Sequence, residues 1–362
     1  MKYFGDDGEV YILTDKFAEG TTSCIYKVQG LSMKLAKIYK KNNILYDIKT
    51  ELLCRIPTDD KIRKYIAIPE ILLYHDRERK LQAGFIMEKF DFLYTMDDIY
   101  NNKCPLSIKA KAVIAKNLCD IVEVVHNHKD IVLENIKHSF INCGEVKITE
   151  ITLANFNKYN ICIGIINNED FDIKIVDADC LQLKLSLHTG EKYISSKVFN
   201  LKSIDVFTKY TDCYCLASHL HILLLDTYPF FHISDSGSSR DMSISQHSSY
   251  PYANLSDKFH LPNYVPDFNI ITPELQSLFI RTFAEGTLDP TKIPTPKEFK
   301  DALEKYIAGL KPCKCGNLRH YGYKKGYTKK NCEWCRIERI KNIHYADSNF
   351  IFDYNDKIVI IF

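Results

Sequence analysis

The sequence predicts an α+β protein in which a β-rich N-terminal part with one helix precedes a larger helical part. Strand-like runs dominate up to about residue 100, and long helical patterns follow from about residue 105. The chain has 362 residues, of which 46% are hydrophobic and 26% are charged. These are ordinary globular values, and a chain of this length can bury a substantial core without disulfide bonds.

The N-terminal part contains alternating β-rich runs that are separated by turn-forming residues. The predicted strands occupy residues 9–14, 24–30, 33–39, 69–75 and 81–88. Residues 43–56 instead place apolar side chains at helical spacing, so we expect one helix among these strands.

Two predicted helices dominate the middle of the chain. Residues 107–128 carry apolar side chains on one broad face, and residues 210–226 are apolar on nearly all sides up to Pro229. A helix of the second kind belongs in the middle of a helical layer. Shorter elements are expected as strands within 145–177 and as helices at 273–285 and 296–309. The expected divisions are a β lobe over 1–92, a helical lobe over 93–310, a Cys/His segment over 311–340 and a hairpin-like tail over 341–362.

Charge and cysteine usage narrow the function classes. The 48 basic and 46 acidic side chains leave a net charge of +2, which argues against a bulk polyanion binder and makes nucleic acid an unlikely partner. No apolar run reaches about 18 residues, so we expect no membrane span, and the first residues lack the apolar core of a signal peptide. Most of the 13 cysteines stand singly in apolar segments, which is typical of free thiols in a reducing, cytoplasmic location.

Three features of the N-terminal part are suited to holding phosphate groups. Residues 17–28 lie between two predicted strands, and small residues around Gly20 would let backbone N–H groups approach phosphate oxygens, although a plain hairpin turn has the same pattern. Lys37 lies in the middle of a predicted strand, and Glu51 in the following helix could neutralise it. A solvated lysine and an ordinary surface glutamate are the alternatives.

A pair of carboxylates ends a predicted apolar strand within residues 173–183. Alternation places Asp177 and Asp179 on the same side if the chain stays extended. Paired carboxylates with a nearby amide suit Mg²⁺ and the phosphates of a nucleotide, whereas a charged strand end is the simpler interpretation.

The order of these motifs resembles the protein-kinase fold, and within it a divergent bacterial group of kinase-like proteins with a C-terminal Cys/His cluster. FAEGTTSCIYKV (17–28) resembles the glycine-rich loop, KLAKIY (34–39) the segment with the nucleotide-binding lysine, and GFIMEKF (84–90) the hinge strand. VDADCLQL (176–183) is similar to that group's form of the Asp-Phe-Gly motif. The resemblance covers most of residues 10–336 and implies a bilobal fold that binds ATP and Mg²⁺.

The resemblance assigns roles to individual residues. It makes Lys37 the nucleotide-binding lysine with Glu51 as its helix partner, and Asp177 the expected Mg²⁺ ligand. It also makes Asp212 the buried acid of a long central helix. Transfer of the γ-phosphate to a protein Ser or Thr hydroxyl is the activity that it implies.

Three segments compete for the catalytic loop, which needs an Asp as base and an Asn five residues later for metal. Asp130 with Asn135 has the right identities, and Glu150 with Asn155 is a second register. The third register, Asn155 with Asn160, is favoured because a slightly enlarged hairpin explains its distance from Asp177. An amide at the base position cannot take a proton from a hydroxyl near neutral pH, so this register predicts impaired catalysis.

The C-terminal cysteines form the only cluster in the sequence. Soft thiolates and an imidazole suit tetrahedral Zn²⁺, and Cys332 and Cys335 have the usual knuckle spacing. The first half offers Cys313 or Cys315 together with His320, and the resemblance to the bacterial group selects Cys313. Four protein ligands would leave no open position, so the zinc would be structural, and free thiols or a redox pair are the alternatives.

Three functions follow in order of preference. The first is an ATP- and Mg²⁺-binding kinase-like enzyme that phosphorylates an unidentified protein substrate. The second is a pseudokinase with the same fold that acts as a scaffold for a protein partner. The third, a zinc-knuckle adaptor for nucleic acid, is disfavoured by the net charge.

Overall fold

The computed structural model describes most of the chain. Its described residues are 1–57, 61–92, 94–104, 106–134, 145–154, 156–167, 170–178, 181–187, 190–194, 207–230, 232–234, 239–240, 250–253, 259–313, 316–321 and 332–345. Of the predicted site residues, Asn155, Asp179 and Cys315 lie outside these ranges, as do Asn135 and the predicted tail hairpin.

Six N-terminal strands close into a barrel in the order β1-β2-β3-β4-β6-β5. They are Lys2–Gly5 (β1), Val10–Glu19 (β2), Ser23–Val28 (β3), Leu31–Tyr39 (β4), Ile71–Tyr74 (β5) and Gln82–Glu88 (β6). The predicted strands of this part are confirmed. β1 lies outside them, since four residues are too few to show alternation, and it closes the barrel by pairing with both β2 and β5.

The two faces of β4 pack against different groups of side chains. Ala36 and Ile38 belong to one cluster, and Leu35 and Tyr39 belong to another that includes residues of the helix Ile44–Cys54 (α1). Because successive strand residues point to opposite faces, Lys37 shares the α1 side of the sheet with Leu35 and Tyr39.

Helices and short sheets follow the barrel. The helices are Met96–Tyr100 (α2), Ile108–Asn127 (α3), Lys209–Leu225 (α4), Pro273–Ile280 (α5), Pro296–Gly309 (α6) and Glu333–Lys341 (α7). The strands are Tyr94–Thr95 (β7), Ile131–Glu134 (β8), Glu145–Thr152 (β9), Ile161–Asn167 (β10), Asp170–Ile175 (β11), Gln182–Leu187 (β12), Gly190–Ile194 (β13), His232–Ser234 (β14), Ser239–Arg240 (β15), Phe259–His260 (β16), Leu310–Pro312 (β17) and Leu318–Tyr321 (β18).

The long predicted helices are confirmed, with local causes for their ends. The Ser107 hydroxyl accepts the Ala110 N–H at the start of α3, and α4 ends at Asp226, whose φ of 54° is left-handed. The predicted helix 273–285 is α-helical only as far as Ile280 and then continues as a π-helical turn, Arg281–Glu285.

One large apolar cluster extends through the helical part and includes the C-terminal cysteines. α3 packs against α4 and α6, and Leu118, Leu220 and Leu303 are fully buried between them. Cys313 and Trp334 belong to the same cluster. The Cys/His segment therefore packs on the helical core, and the predicted α+β order of a β-rich part followed by helices is confirmed.

Candidate functional site

A cavity of about 280 Å³ lies between the barrel and the segments that follow it. Its polar lining residues are Lys37, Asp177 and Asn160, together with Thr21, Thr22, Ser23 and Glu88. The rest is mainly apolar and aromatic, with Phe17, Ile25, Leu35, Ala67, Met87, Phe90, Phe92, Tyr159 and Val176 in its walls. Mostly apolar walls with a few convergent polar groups are typical of small-molecule sites, and this arrangement could hold a flat ring next to an anion.

The loop from Gly20 to Ser23 covers one side of this cavity. Its turn is closed by its own backbone, because the Gly20 N–H donates to Ser23 O over 2.9 Å. The Lys40 N–H donates to Thr22 O, also over 2.9 Å, which ties the loop to the end of β4. The predicted phosphate-binding loop therefore borders the same cavity as the predicted lysine.

Lys37 is buried, with 7% of the residue exposed, in contrast to the solvated lysine that is usual on a strand. Its position depends on a close approach between β4 and β6. A Cβ atom placed on Gly84, which faces Ile38 in the register of β4 and β6, would lie 1.9 Å from the Lys37 carbonyl oxygen, so only glycine fits at this position.

Lys37 Nζ donates to Asp177 Oδ1 over 2.8 Å. β11 ends at Ile175, two residues before Asp177, so the alternation expected for an extended strand does not continue to that residue. The Val176 N–H donates to Asn160 O over 3.1 Å and holds the segment with Asn160 beside Asp177. Carboxylate and amide oxygens are the ligands that Mg²⁺ takes in proteins, so the donor set fits this ion.

Glu51 lies on α1 with only 5% of the residue exposed. Its carboxylate is 4.0 Å from the Arg55 guanidinium, and it lines a second, polar cavity together with Gln82. The pairing of Glu51 with Lys37 stays a prediction.

α4 holds the backbone on both sides of position 155. Asp212 is 1% exposed and accepts the N–H groups of Leu153 and Ala154 over 2.8 and 3.2 Å. About two turns further along α4, His219 Nε2 donates to Phe156 O over 3.1 Å. The backbone of residues 153, 154 and 156 is therefore held by two side chains of α4, which the sequence pattern of an apolar helix does not reveal.

Asp212 also binds an imidazole. His126 Nε2, at the end of α3, lies 3.0 Å from Asp212 Oδ2. The buried carboxylate thus has three partners, which is the condition for burying a charge without a large free-energy cost.

Burial sets the protonation of the two histidines on α4. It lowers the pKa of His219 to about 4 and that of His221 to about 3. Since His219 Nε2 donates to a carbonyl, its Nδ1 accepts the Tyr100 hydroxyl at 2.5 Å. Both histidines are therefore neutral hydrogen-bonding groups of the helical core.

The two other registers for the catalytic loop lie elsewhere. Asp130 has φ 61° and forms an exposed ion pair with Lys147 over 2.8 Å, at the start of β8. Glu150 lies within β9, where its backbone faces that of Lys184 in the register with β12. Neither residue borders the cavity that Lys37, Asp177 and Asn160 share.

The C-terminal cysteines form a second candidate site that could hold a metal ion. The Sγ atoms of Cys313, Cys332 and Cys335 all lie within 4.8 Å of one another. The Gly316 N–H donates to Cys313 O over 3.0 Å. Gly316 has a φ of 92°, which explains why glycine occupies this position three residues after Cys313. The side chains of Cys315 and His320 lie outside the described part, so the fourth ligand stays a prediction.

Burial raises the pKa of the Cys332 thiol to about 11. A bound cation removes this obstacle, because a coordinating thiol is deprotonated by the metal. Arg319, 2% exposed, lies 3.5 Å from Cys335 Sγ and forms a bidentate pair with Glu338 over 2.6 and 3.0 Å. The donor set therefore fits a metal that prefers sulfur, with a buried guanidinium to offset its negative charge.

A buried ion network ties this segment to α4. Asp226 accepts Lys111 Nζ, Lys341 Nζ and the Tyr345 hydroxyl over 3.3, 2.5 and 2.9 Å. Burial alone favours the neutral acid, but the two ammonium groups hold the pKa of Asp226 well below its usual range. α7 and the following residues are therefore fastened to the end of α4.

The chain matches no protein-family model, and it matches no curated protein. Within the described ranges, no helix has both the length and the apolar character needed to cross a bilayer.

Proposed function

We propose that this chain is a bilobal, protein-kinase-like protein that binds ATP with Mg²⁺ in the cavity between the barrel and the helical part. The single observation that carries the proposal is that Lys37, Asp177 and Asn160 line one mainly apolar cavity, in which Lys37 contacts Asp177. The cation of Lys37 suits phosphate groups, and the apolar walls suit a purine ring.

Each residue has a defined role in this proposal. Lys37 would bind the α- and β-phosphates, and Asp177 and Asn160 would hold the Mg²⁺ ion, which would offset the charge of the phosphates. The Lys37–Asp177 contact then opens, because each partner gains an oppositely charged group from the ligand. Mg²⁺ would supply charge neutralisation when bound. The terminal phosphoryl group of ATP would pass to a protein Ser or Thr hydroxyl, with ADP as the leaving group and the hydroxyl proton lost to water.

A pseudokinase scaffold is the second candidate. Asp212 and His219 hold the backbone on both sides of position 155, which supports that position as the site of the base. An asparagine there orients a hydroxyl but does not accept its proton. Positioning and electrostatics supply most phosphoryl-transfer catalysis, so the proposal includes weak transfer or none.

We further propose that the cysteine cluster binds one structural Zn²⁺ ion. Cys313, Cys332 and Cys335 would be three ligands, with His320 or Cys315 as the fourth. Three sulfur atoms that lie within 4.8 Å of one another, two of them on buried residues, support this assignment.

Calorimetric titration with ATP and Mg²⁺ tests the nucleotide site. We expect Lys37→Ala to weaken binding at least about tenfold, since charged hydrogen bonds contribute roughly 1.5–3 kcal/mol. Lys34→Ala is the matched control, because Lys34 lies on the same strand and pairs with Glu70 instead. Wild-type protein that shows neither heat nor thermal stabilisation with ATP at any Mg²⁺ concentration would refute the proposal.

A further inference from the structure

Gln182 is the first residue of β12 and follows the turn that contains Asp177. It is 2% exposed. Its Nε2 donates to Phe207 O over 2.6 Å, and its Oε1 accepts the Phe207 N–H over 3.1 Å. One side chain thus forms both hydrogen bonds that a strand residue would make with a neighbouring backbone.

Three chain segments meet at this side chain. Through its backbone, Gln182 pairs with Thr152, which directly precedes the Leu153 and Ala154 amides held by Asp212. Phe207 directly precedes Thr208, the residue that caps α4. Gln182 therefore joins the Asp177 turn, the start of α4 and the segment that leads to Asn160.

The same turn is held from the opposite side by α1. Lys49 is only 1% exposed, and its Nζ donates to Leu181 O over 3.3 Å. The carbonyl of residue 181 and the side chain of residue 182 are thus bound by two different elements. The Leu181 N–H donates to Ala178 O over 3.1 Å, and Ala178 directly follows Asp177, so holding residues 181 and 182 limits how far the Asp177 carboxylate can shift.

We propose that Gln182 is a positioning residue for Asp177, and that its two bonds to Phe207 set the geometry of the Mg²⁺ ligand. The inference rests on the proposed nucleotide site. Carboxylates that hold a metal must be kept within about 0.5 Å of their productive position, and partners that orient them control affinity. The bulk of Gln182 matters less here than its donor and acceptor pair.

The test compares ATP affinity with Mg²⁺ and with EDTA in the full chain. We expect Gln182→Leu to lose about 10- to 100-fold of the affinity that Mg²⁺ adds, while affinity in EDTA stays unchanged. Gln182→Glu keeps the volume and the acceptor for the Phe207 N–H but places an oxygen against Phe207 O in a buried position, so we expect a loss at least as large. Gln276→Leu is the matched control, because Gln276 Nε2 also donates to a backbone carbonyl, that of Ile271, away from the cavity.

Each outcome has one meaning. Wild-type protein without Mg²⁺-dependent ATP binding overturns the nucleotide site itself. If the wild type binds in this way and both Gln182 variants keep the full Mg²⁺ effect, the positioning role is wrong. A general loss of stability would weaken binding equally with Mg²⁺ and with EDTA, which also contradicts the proposal. Should Gln182→Leu fail to fold, Gln182→Glu and Lys49→Met decide the question by the same ratio of ATP affinity with Mg²⁺ to ATP affinity with EDTA.

Discussion

The ammonium group of Lys37 donates to Asp177 Oδ1 over 2.8 Å, although 140 residues separate the two in sequence. The contact joins β4 of the barrel to the turn after β11. A lysine buried on a strand needs a partner to offset the loss of its hydration. Asp177 supplies that partner while keeping 34% of its side chain exposed, which leaves the carboxylate accessible to a ligand.

Asp177→Asn separates the role of this carboxylate in metal binding from its role in folding. We expect the variant to lose the part of ATP affinity that depends on Mg²⁺. The unfolding free energy should fall by about 1–3 kcal/mol, because asparagine keeps an oxygen acceptor for the buried Lys37 ammonium but removes the charge that offsets its burial. Calorimetry with and without Mg²⁺, together with urea unfolding, measures both quantities, and an unaltered Mg²⁺ effect contradicts the assignment.

Asn155→Asp tests which register forms the catalytic loop. A carboxylate at that position could accept the proton of the hydroxyl, so we expect phosphate transfer from labelled ATP to rise by about 10²- to 10⁴-fold. Asp130→Ala should leave transfer unchanged, since Asp130 is paired with Lys147 outside the cavity. Loss of transfer in Asp130→Ala, with no gain in Asn155→Asp, would instead select the register of Asp130 and Asn135.

Sequence reasoning predicted the components of the cavity better than their supports. Lys37, Asp177 and Asn160 could be selected because strand alternation and motif order carry that information. The bonds from Asp212 and His219 to the backbone around position 155 join elements far apart in sequence, so no local pattern predicts them. The same holds for Gln182, whose bonds to Phe207 depend on how the turn meets α4.

The barrel and the cysteine segment show a second limit. The barrel closes through the four-residue strand β1, which pairs with β5. This pairing joins segments far apart in sequence, so no local pattern predicts it. The cysteines predicted a compact metal-bound segment, but their packing on the helical core depends on Trp334 and on the Asp226 network. Spacing predicts metal ligands, whereas it carries no information about the surface that they pack against.

The buried histidines predict a loss of stability in mild acid. In the unfolded chain a histidine takes up a proton near pH 6.5, whereas His219 in the fold does so only near pH 4. The unfolded state therefore binds more protons between these values, and the unfolding free energy falls as pH decreases, by up to about 1.4 kcal/mol per pH unit for each such histidine. The unfolding free energy, measured with urea at several pH values in this range, should depend less steeply on pH in His219→Gln. In His75→Gln, which alters an exposed position, it should depend on pH as steeply as in the wild type.

Gly84→Ala should damage the fold at the strand that presents Lys37. The new Cβ would lie 1.9 Å from the Lys37 carbonyl oxygen, so β4 and β6 must separate. We expect a loss of about 1–3 kcal/mol or more in unfolding free energy, as for other overpacked sites. Gly20→Ala is the control, because its Cβ would be 3.7 Å from the nearest atom and needs no rearrangement. Equal stability of the two variants would contradict this steric account.

Removal of metal from the cysteine cluster should loosen the C-terminal segment. Cys313 precedes β18 in the sequence, whereas Cys332 and Cys335 follow it. An ion bound by all three would therefore link β17 and β18 to α7. Metal analysis should find about one zinc per chain, and the zinc should be lost in Cys332→Ser but retained in Cys24→Ser, which alters a thiol outside the cluster. We expect faster proteolysis after α6 in the zinc-free protein, because β17 and β18 then lose the link to α7 that the shared ion supplies. Zinc-free protein with an unchanged proteolysis pattern and melting temperature would show that the buried ion network suffices and that the cysteines hold no structural metal.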